Sequence, residues 1–347
     1  MYGVCEIGGP VKKFRTFRVI VTVAFCALGV LGAGAHAQSL GKDKFIALGT
    51  SSKSGVYYPV GAEICNLLNE GRDKHLVRCL AYETGGSIYN IQALRSGELD
   101  VAITRADLAY LAAKGEGIFK QVGPMPGLRI ISSLYENPLG IIVKADSNVT
   151  AVEELVGSRI NIGNLGSGKR DFADMLFKSM NWSASDFQTV TEYSTSKMGR
   201  AFCDGEVDVL IQVMGIPASF YDKMINECGG KFLEVSDDIF SRLKAEAPFI
   251  ERNIIPGGMY SSNPGAVKTV GAKAVLITMD RVSGQTIEKM TSALLGNLEH
   301  IKANQPAMSG ASVESMVNEG VYVPFHSGAE SYFQKQNINY SNIGDGQ

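Results

Sequence analysis

A pattern of glycine, glutamate, an apolar residue, aspartate and three further apolar residues is written twice in this chain. The first copy is Gly97-Glu98-Leu99-Asp100-Val101-Ala102-Ile103, and Gly205-Glu206-Val207-Asp208-Val209-Leu210-Ile211 follows 108 positions later. Upstream of the first copy, Thr84-Gly85-Gly86-Ser87 reads as a helix start with Ser87 as the cap, because its hydroxyl can accept from free N–H groups of the first turn. Ile88, Ile91 and Leu94 recur at helical spacing, so one face of that helix is apolar. Gly97 suits the left-handed residue after a helix, and Val101-Ala102-Ile103 reads as a short buried strand. The second copy has the same grammar. Two copies in equivalent contexts predict two similar α/β lobes.

The N-terminal segment reads as a leader. Lys12, Lys13, Arg15 and Arg18 precede an apolar run over Val19 to Leu31, and Ala35-His36-Ala37 fits a small-residue cleavage site before Gln38. The run is short for a membrane span of about 20 residues. Removing residues 1–37 leaves 29 basic and 34 acidic residues, a formal charge of −5, against −2 for the whole chain. Neither value suggests a basic face for nucleic acid. Four cysteines remain: Cys65, Cys79, Cys203 and Cys228. An even number in an exported chain invites a disulfide reading. Three connectivities are possible, and the two-lobe argument favours Cys65–Cys79 and Cys203–Cys228, one in each lobe.

Polar loops recur at the ends of the expected strands. Lys44 to Leu48 is a strand, followed by Gly49 to Pro59 and a helix through Ala62, Ile64, Leu67 and Leu68. Leu76 to Ala81 leads into Thr84, and Ile103 leads into Thr104-Arg105-Ala106-Asp107. In open parallel sheets, ligands gather at such strand ends, where the strand order reverses. Arg129–Leu134 and Leu139–Val143 read as two strands broken by Tyr135-Glu136-Asn137-Pro138. Val149–Val156 reads as a helix and Arg159–Ile162 as a strand. The loop Gly163 to Arg170 then opens a helix through Phe172, Met175, Leu176 and Met180. Ile254–Lys268 reads as loop, Val275–Thr278 as a strand returning to the first lobe, and Gln285–Ile301 as one helix.

Catalytic signatures are incomplete. Gly163, Gly168 and Lys169 have phosphate-loop spacing, but Arg170 stands where the Mg²⁺-holding Ser or Thr belongs. Ser194-Thr195-Ser196-Lys197 matches Ser-x-x-Lys without its partner motifs and reads as a helix start. His75, His300 and His326 are dispersed, which predicts no metal site, and no cofactor is expected. His326, after Pro324, reads as a structural loop histidine.

The ordered set of motifs resembles the TAXI receptors, the extracytoplasmic solute-binding subunits of one branch of TRAP transporters. The residues concerned are Gly49-Thr50 through Gly55-Val56-Tyr57-Tyr58-Pro59-Val60-Gly61, Thr84-Gly85-Gly86-Ser87 to Asp100, and Gly166-Ser167-Gly168-x-Arg170. Gly215-x-Pro217 and Pro324-x-His326-x-Gly328-Ala329 complete the series. The similarity covers roughly residues 43–335. Departures fall at presumed pocket loops: Thr104-Arg105-Ala106-Asp107 stands where the family commonly has Gln-Ser-Asp, Ile216 replaces a histidine, and Leu165 replaces a proline. The resemblance implies a type II periplasmic binding fold that closes on a small carboxylate such as glutamate or 2-oxoglutarate. It further implies docking to an ion-gradient-driven TRAP permease.

The combined reading is an α/β, two-lobed (Venus-flytrap) binding protein of the periplasm, not an enzyme. Lobe I is expected over 43–138 and 276–342 and lobe II over 139–275, with residues 1–37 as a signal peptide. The competing class is an exported enzyme acting on a small anion. The expected ligand is a small organic anion held between the lobes by helix starts at Thr84-Gly85-Gly86-Ser87 and Gly166-Ser167-Gly168. Thr50, Ser51 and Thr104 would add hydroxyls, Tyr57 would cover an apolar stem, and the Arg105–Asp107 turn would face the cleft. Arg170 is the expected carboxylate clamp and Arg105 a second candidate.

Overall fold

The structure, a computed structural model, describes residues 44–340; the expected leader lies outside the described residues. The first strand–helix series is β1 (Lys44–Gly49), α1 (Tyr57–Glu70), the single turn α2 (Arg72–His75), β2 (Val77–Tyr82), α3 (Ser87–Ser96), β3 (Val101–Arg105) and α4 (Ala106–Lys114). The long strand β4 (Leu128–Lys144) follows. The second series is β5 (Arg159–Asn161), α5 (Gly168–Met180), β6 (Thr189–Thr191), α6 (Thr195–Cys203) and β7 (Val209–Val213). Then come α7 (Ser219–Asp222), β8 (Gly230–Leu233), α8 (Asp237–Glu246), β9 (Glu251–Ile255) and a second long strand, β10 (Val267–Met279). Four helices close the described chain: α9 (Gly284–Leu295), α10 (Leu298–Asn304), α11 (Val313–Asn318) and α12 (Ser327–Lys335).

The strands pair in the order β2-β1-β3-β10-β4-β7-β5-β6, with β8 also on β4 and β9 on β10. Each end of this path is a parallel trio, β2-β1-β3 and β6-β5-β7, with the earliest strand of each series in the middle. That order places a reversal between β1 and β3, and another between β5 and β7, which is where a parallel sheet opens a crevice.

The duplicated motif has one structural job in both places. The Asp100 N–H donates to Ala47 O at 3.0 Å, and the Ala47 N–H donates back to Asp100 Oδ2 at 2.9 Å. Asp208 and Arg159 repeat the exchange at 2.8 and 3.0 Å. Each aspartate thus brackets one residue of the neighbouring strand, fixing the register of β3 on β1 and of β7 on β5. Gly97 and Gly205, at φ 82° and 73°, hold the left-handed conformation that ends each preceding helix.

β4 corrects the expected break at Tyr135–Pro138. The strand runs through it, with Leu128–Pro138 on β10 and Leu139–Val143 on β7. Pro138 lacks an N–H, and a strand tolerates that where the pairing partner changes. Three further expectations are corrected. Only a 3₁₀ turn, Val152–Leu155, forms where a helix was expected over 149–156. The expected loop at 254–268 holds over 256–266, but its ends belong to β9 and β10, which pair with each other. The helix expected over 285–301 is divided into α9 and α10 at Gly296-Asn297.

Two apolar clusters form the interior. One gathers Ile46, Leu48, Ile64, Ile103 and Leu276 among others. The other gathers Ile141, Leu155, Phe172, Leu176, Ile211 and Ile250. Cys65 is disulfide-bonded to Cys79, tying α1 to β2, and Cys203 to Cys228, tying the end of α6 to the turn before β8.

Candidate functional site

A cavity of about 220 Å³ lies where the two parallel trios face each other. Its wall from the first series comes from Ser51, Ser52, Gly55 to Tyr57, Glu83 to Ser87 and Arg105. Asn164, Ser167 to Lys169, Ser194 to Ser196 and Gln212 to Met214 supply the opposite wall. These are the segments that follow β1, β2, β3, β5, β6 and β7, so the strand order places them together.

Of the expected residues, Ser51, Tyr57, Thr84, Gly85, Gly86, Ser87, Arg105, Ser167 and Gly168 line the cavity. Tyr57, not Tyr58, faces it; its hydroxyl accepts from Asn137 Nδ2 at 3.0 Å and lies 3.4 Å from Ser87 Oγ. Burial pushes the Tyr57 phenol up to about 12, so it remains a neutral hydrogen-bonding group at any ordinary pH.

The start of α3 is not the open anion site expected. Gly86, at φ 104°, is the cap residue, and Ser87 is already the first helical residue. The first-turn N–H groups of Ile88 and Tyr89 donate to Gly166 O at 3.2 and 3.0 Å. Gly166 therefore serves as a backbone cap across the crevice rather than lining it. Asn164 Nδ2 adds a bond to Gly85 O at 3.2 Å. Ser167 does cap α5 as expected, accepting from the Arg170 N–H at 3.2 Å.

Arg105 is fully buried and already committed. Its Nε donates to Asp107 Oδ1 at 3.0 Å and its Nη2 to both Asp107 and Asp171, the latter at 2.9 Å. Nη1 donates to Gly168 O, and Phe172 lies against the guanidinium, 4.7 Å from Cζ to the ring centre. Burial opposes the charge, but the two carboxylates outweigh it and hold Arg105 protonated. Burial also lifts Asp171 to about 6; the Arg105 charge opposes the shift and the nearby Asp107 carboxylate adds to it.

Arg170 is not a cavity residue. Its guanidinium pairs with Asp174 Oδ1 at 2.8 Å, one helical turn on, and with Glu192 Oε1. Thr50 Oγ1 donates to Tyr82 O at 2.6 Å and Thr104 Oγ1 to Ser87 O at 3.3 Å, so both secure loops behind the wall. Asp107 serves Arg105. His326 caps α12 by accepting from the Gly328 N–H at 3.0 Å. Among the described residues no cluster of His, Cys, Asp or Glu is placed to hold a metal, and no helix is long and apolar enough to cross a membrane.

A family model described as NMT1-like matches residues 48–336. The chain belongs to the NMT1-like family. Among solved structures, the periplasmic binding protein BugD is similar to this NMT1-like chain with a TM-score of 0.54 at 12% identity, over 86% of this chain and 99% of BugD. The fold is accordingly that of the two-lobed periplasmic binding proteins. The alkanesulfonate-binding protein SsuA from Xanthomonas axonopodis pv. citri, bound to MOPS, matches at 14% identity over 87% of this chain and 96% of its own, with a TM-score of 0.46. An ancestral arginine-binding protein bound to arginine matches at 15% identity over 77% and 98%, also at 0.46.

Several lining residues of the NMT1-like chain escaped the sequence reading. Lys169, the second residue of α5, is buried and donates from Nζ to Thr195 Oγ1 at 2.7 Å. Gln212 Nε2 donates to the same oxygen at 3.2 Å, while the Val213 N–H fixes the amide by donating to Gln212 Oε1 at 3.0 Å. Burial lowers the Lys169 ammonium to about 7. The signal for Lys169 was present in the phosphate-loop spacing, where the lysine after the second glycine is the residue that reaches an anion.

Proposed function

We propose that this protein is an extracytoplasmic solute receptor. It closes two lobes on a small organic anion carrying at least one carboxylate and delivers it to an ion-gradient-driven TRAP permease. The observation that carries this reading is the cavity between the two parallel trios, where the starts of α5 and α6 face the loops after β1 and β2. Helix starts present N–H groups and the positive end of the dipole, which suits an anion. Lobe I is taken as 43–138 with 276–342 and lobe II as 139–275, because β4 exchanges β10 for β7 between Pro138 and Leu139. The TRAP partner rests on the motif resemblance, and the periplasmic location on the leader at residues 1–37 together with the fold.

The test is native mass spectrometry of protein purified from its host without denaturation, followed by calorimetric titration with 2-oxoglutarate and L-glutamate. A co-purifying or titrating carboxylate is expected. Protein that carries and binds no acid, or that turns the acid over, sinks the reading.

A further inference from the structure

Around Lys169 the side-chain hydrogen bonds of the cavity wall converge on Thr195. Thr195 Oγ1 accepts from both Lys169 Nζ and Gln212 Nε2. A hydroxyl with both lone pairs engaged has only its own proton left to offer. The Gln212 amide cannot turn its oxygen inward, because Oε1 is held by the Val213 N–H. Ser194 and Ser196 flank Thr195 at the start of α6, on the same wall.

The position of Lys169 is costly unless an anion joins it. A cation in the first turn of a helix opposes the dipole, and a buried ammonium needs a counter-charge. Among the described residues no carboxylate is within ion-pair distance of Nζ. The charged and titratable groups facing it across the cavity are Tyr57 from α1, Glu83 before α3 and Arg105 from β3. Arg105 is bound to Asp107 and Asp171, Tyr57 stays neutral, and Glu83 is exposed at the rim, accepting from the Lys53 N–H at 3.2 Å. The lysine stem is nonetheless housed deliberately. Gly163, at φ 86°, leaves room for it, since a Cβ there would fall 2.6 Å from Lys169 Cγ.

We propose that Lys169 Nζ and the Thr195 hydroxyl form the seat for the acid group of the solute, with Gln212, whose Nε2 donates to Thr195 Oγ1 and to Met198 Sδ, holding Thr195 in place. This assignment rests on the receptor reading above and specifies its chemistry. The empty lysine is mostly neutral at pH 8. An anion bound against it favours the charged form, so the proton comes from solvent as the anion arrives. Affinity then weakens as pH rises above 8.

The experiment uses the full mature protein and Lys169→Met and Thr195→Val variants. Each is titrated at pH 8 with 2-oxoglutarate, L-glutamate, ethanesulfonate and any acid found in the native mass spectrum. Titrations run in two buffers of different ionisation enthalpy, which reads out proton uptake. Expected are uptake of close to one proton by the wild type, at least tenfold weaker binding by Lys169→Met with no uptake, and weakened binding by Thr195→Val. Binding of ethanesulfonate alone with those features upholds the seat and overturns the carboxylate part of the receptor reading. An acid that binds Lys169→Met as tightly as wild type overturns the seat and leaves the receptor reading intact. Wild type that binds no acid overturns both. If Lys169→Met does not fold, wild-type proton uptake and the Thr195→Val loss carry the test, and absence of both overturns it.

Discussion

The Arg105 guanidinium, at the end of β3, donates to Asp171 Oδ2 on α5 across the crevice at 2.9 Å. Both side chains are buried, and Asp107 completes the cluster from the start of α4. Removing the arginine strands two carboxylates. Arg105→Met is expected to cost about 3–5 kcal/mol, as when one partner of a buried charged group is deleted. Urea unfolding of the empty protein measures it.

Asp171 makes a separate, signed prediction. Its folded-state titration is raised from 3.8 to about 6 by burial. The stability linked to this carboxyl is therefore fully present below pH 3.8 and is lost as pH rises through 6. Asp171→Asn should flatten the change in melting temperature across that interval. An unchanged profile in the variant refutes the assignment.

Lys169 acts at higher pH and in the opposite sense. Its titration falls from 10.5 in the unfolded chain to about 7 in the fold. Between those values the unfolded chain holds more protons, so the empty protein gains stability as pH rises from 7 toward 10.5. Lys169→Met should raise the melting temperature at pH 7 by about 4 °C or more and remove that slope. Thermal scans across the interval, without solute, check both.

The repeated motif was legible because its requirements are local: a left-handed glycine and an aspartate that brackets its neighbour. The polar loops were legible for a related reason, since strand order alone carries them to one crevice. β4 was not legible, because what carries it through Pro138 is a change of partner between β10 and β7, more than 70 residues downstream. Lys169 and Arg170 show where the site reading failed. Consecutive helical residues point about 100° apart, so one reaches the cavity and the other Asp174 and Glu192. Spacing ranks them equally; only the packing of α5 decides.

Gly168 sits where the walls approach closely. A Cβ there would lie 3.0 Å from Ser87 Oγ and 3.2 Å from Arg105 Cδ. Gly168→Val should wedge the crevice, increasing the radius of gyration by small-angle scattering and weakening solute binding at least tenfold. Unchanged scattering and affinity would refute this.

The disulfides close short loops, with sequence separations of 14 and 25. Cys65→Ala and Cys203→Ala should each cost about 3 kcal/mol, the second about 0.5 kcal/mol more on loop length. Urea unfolding with and without reductant measures the difference, and the wild type should fall to the level of the double variant when reduced.

The Asp100 and Asp208 brackets secure the starts of β3 and β7, whereas the cavity is lined at and beyond the strand ends. Shape-keeping and cargo choice are thereby assigned to opposite ends of the same strands. The chain is in effect a fixed chassis with a separate mouth.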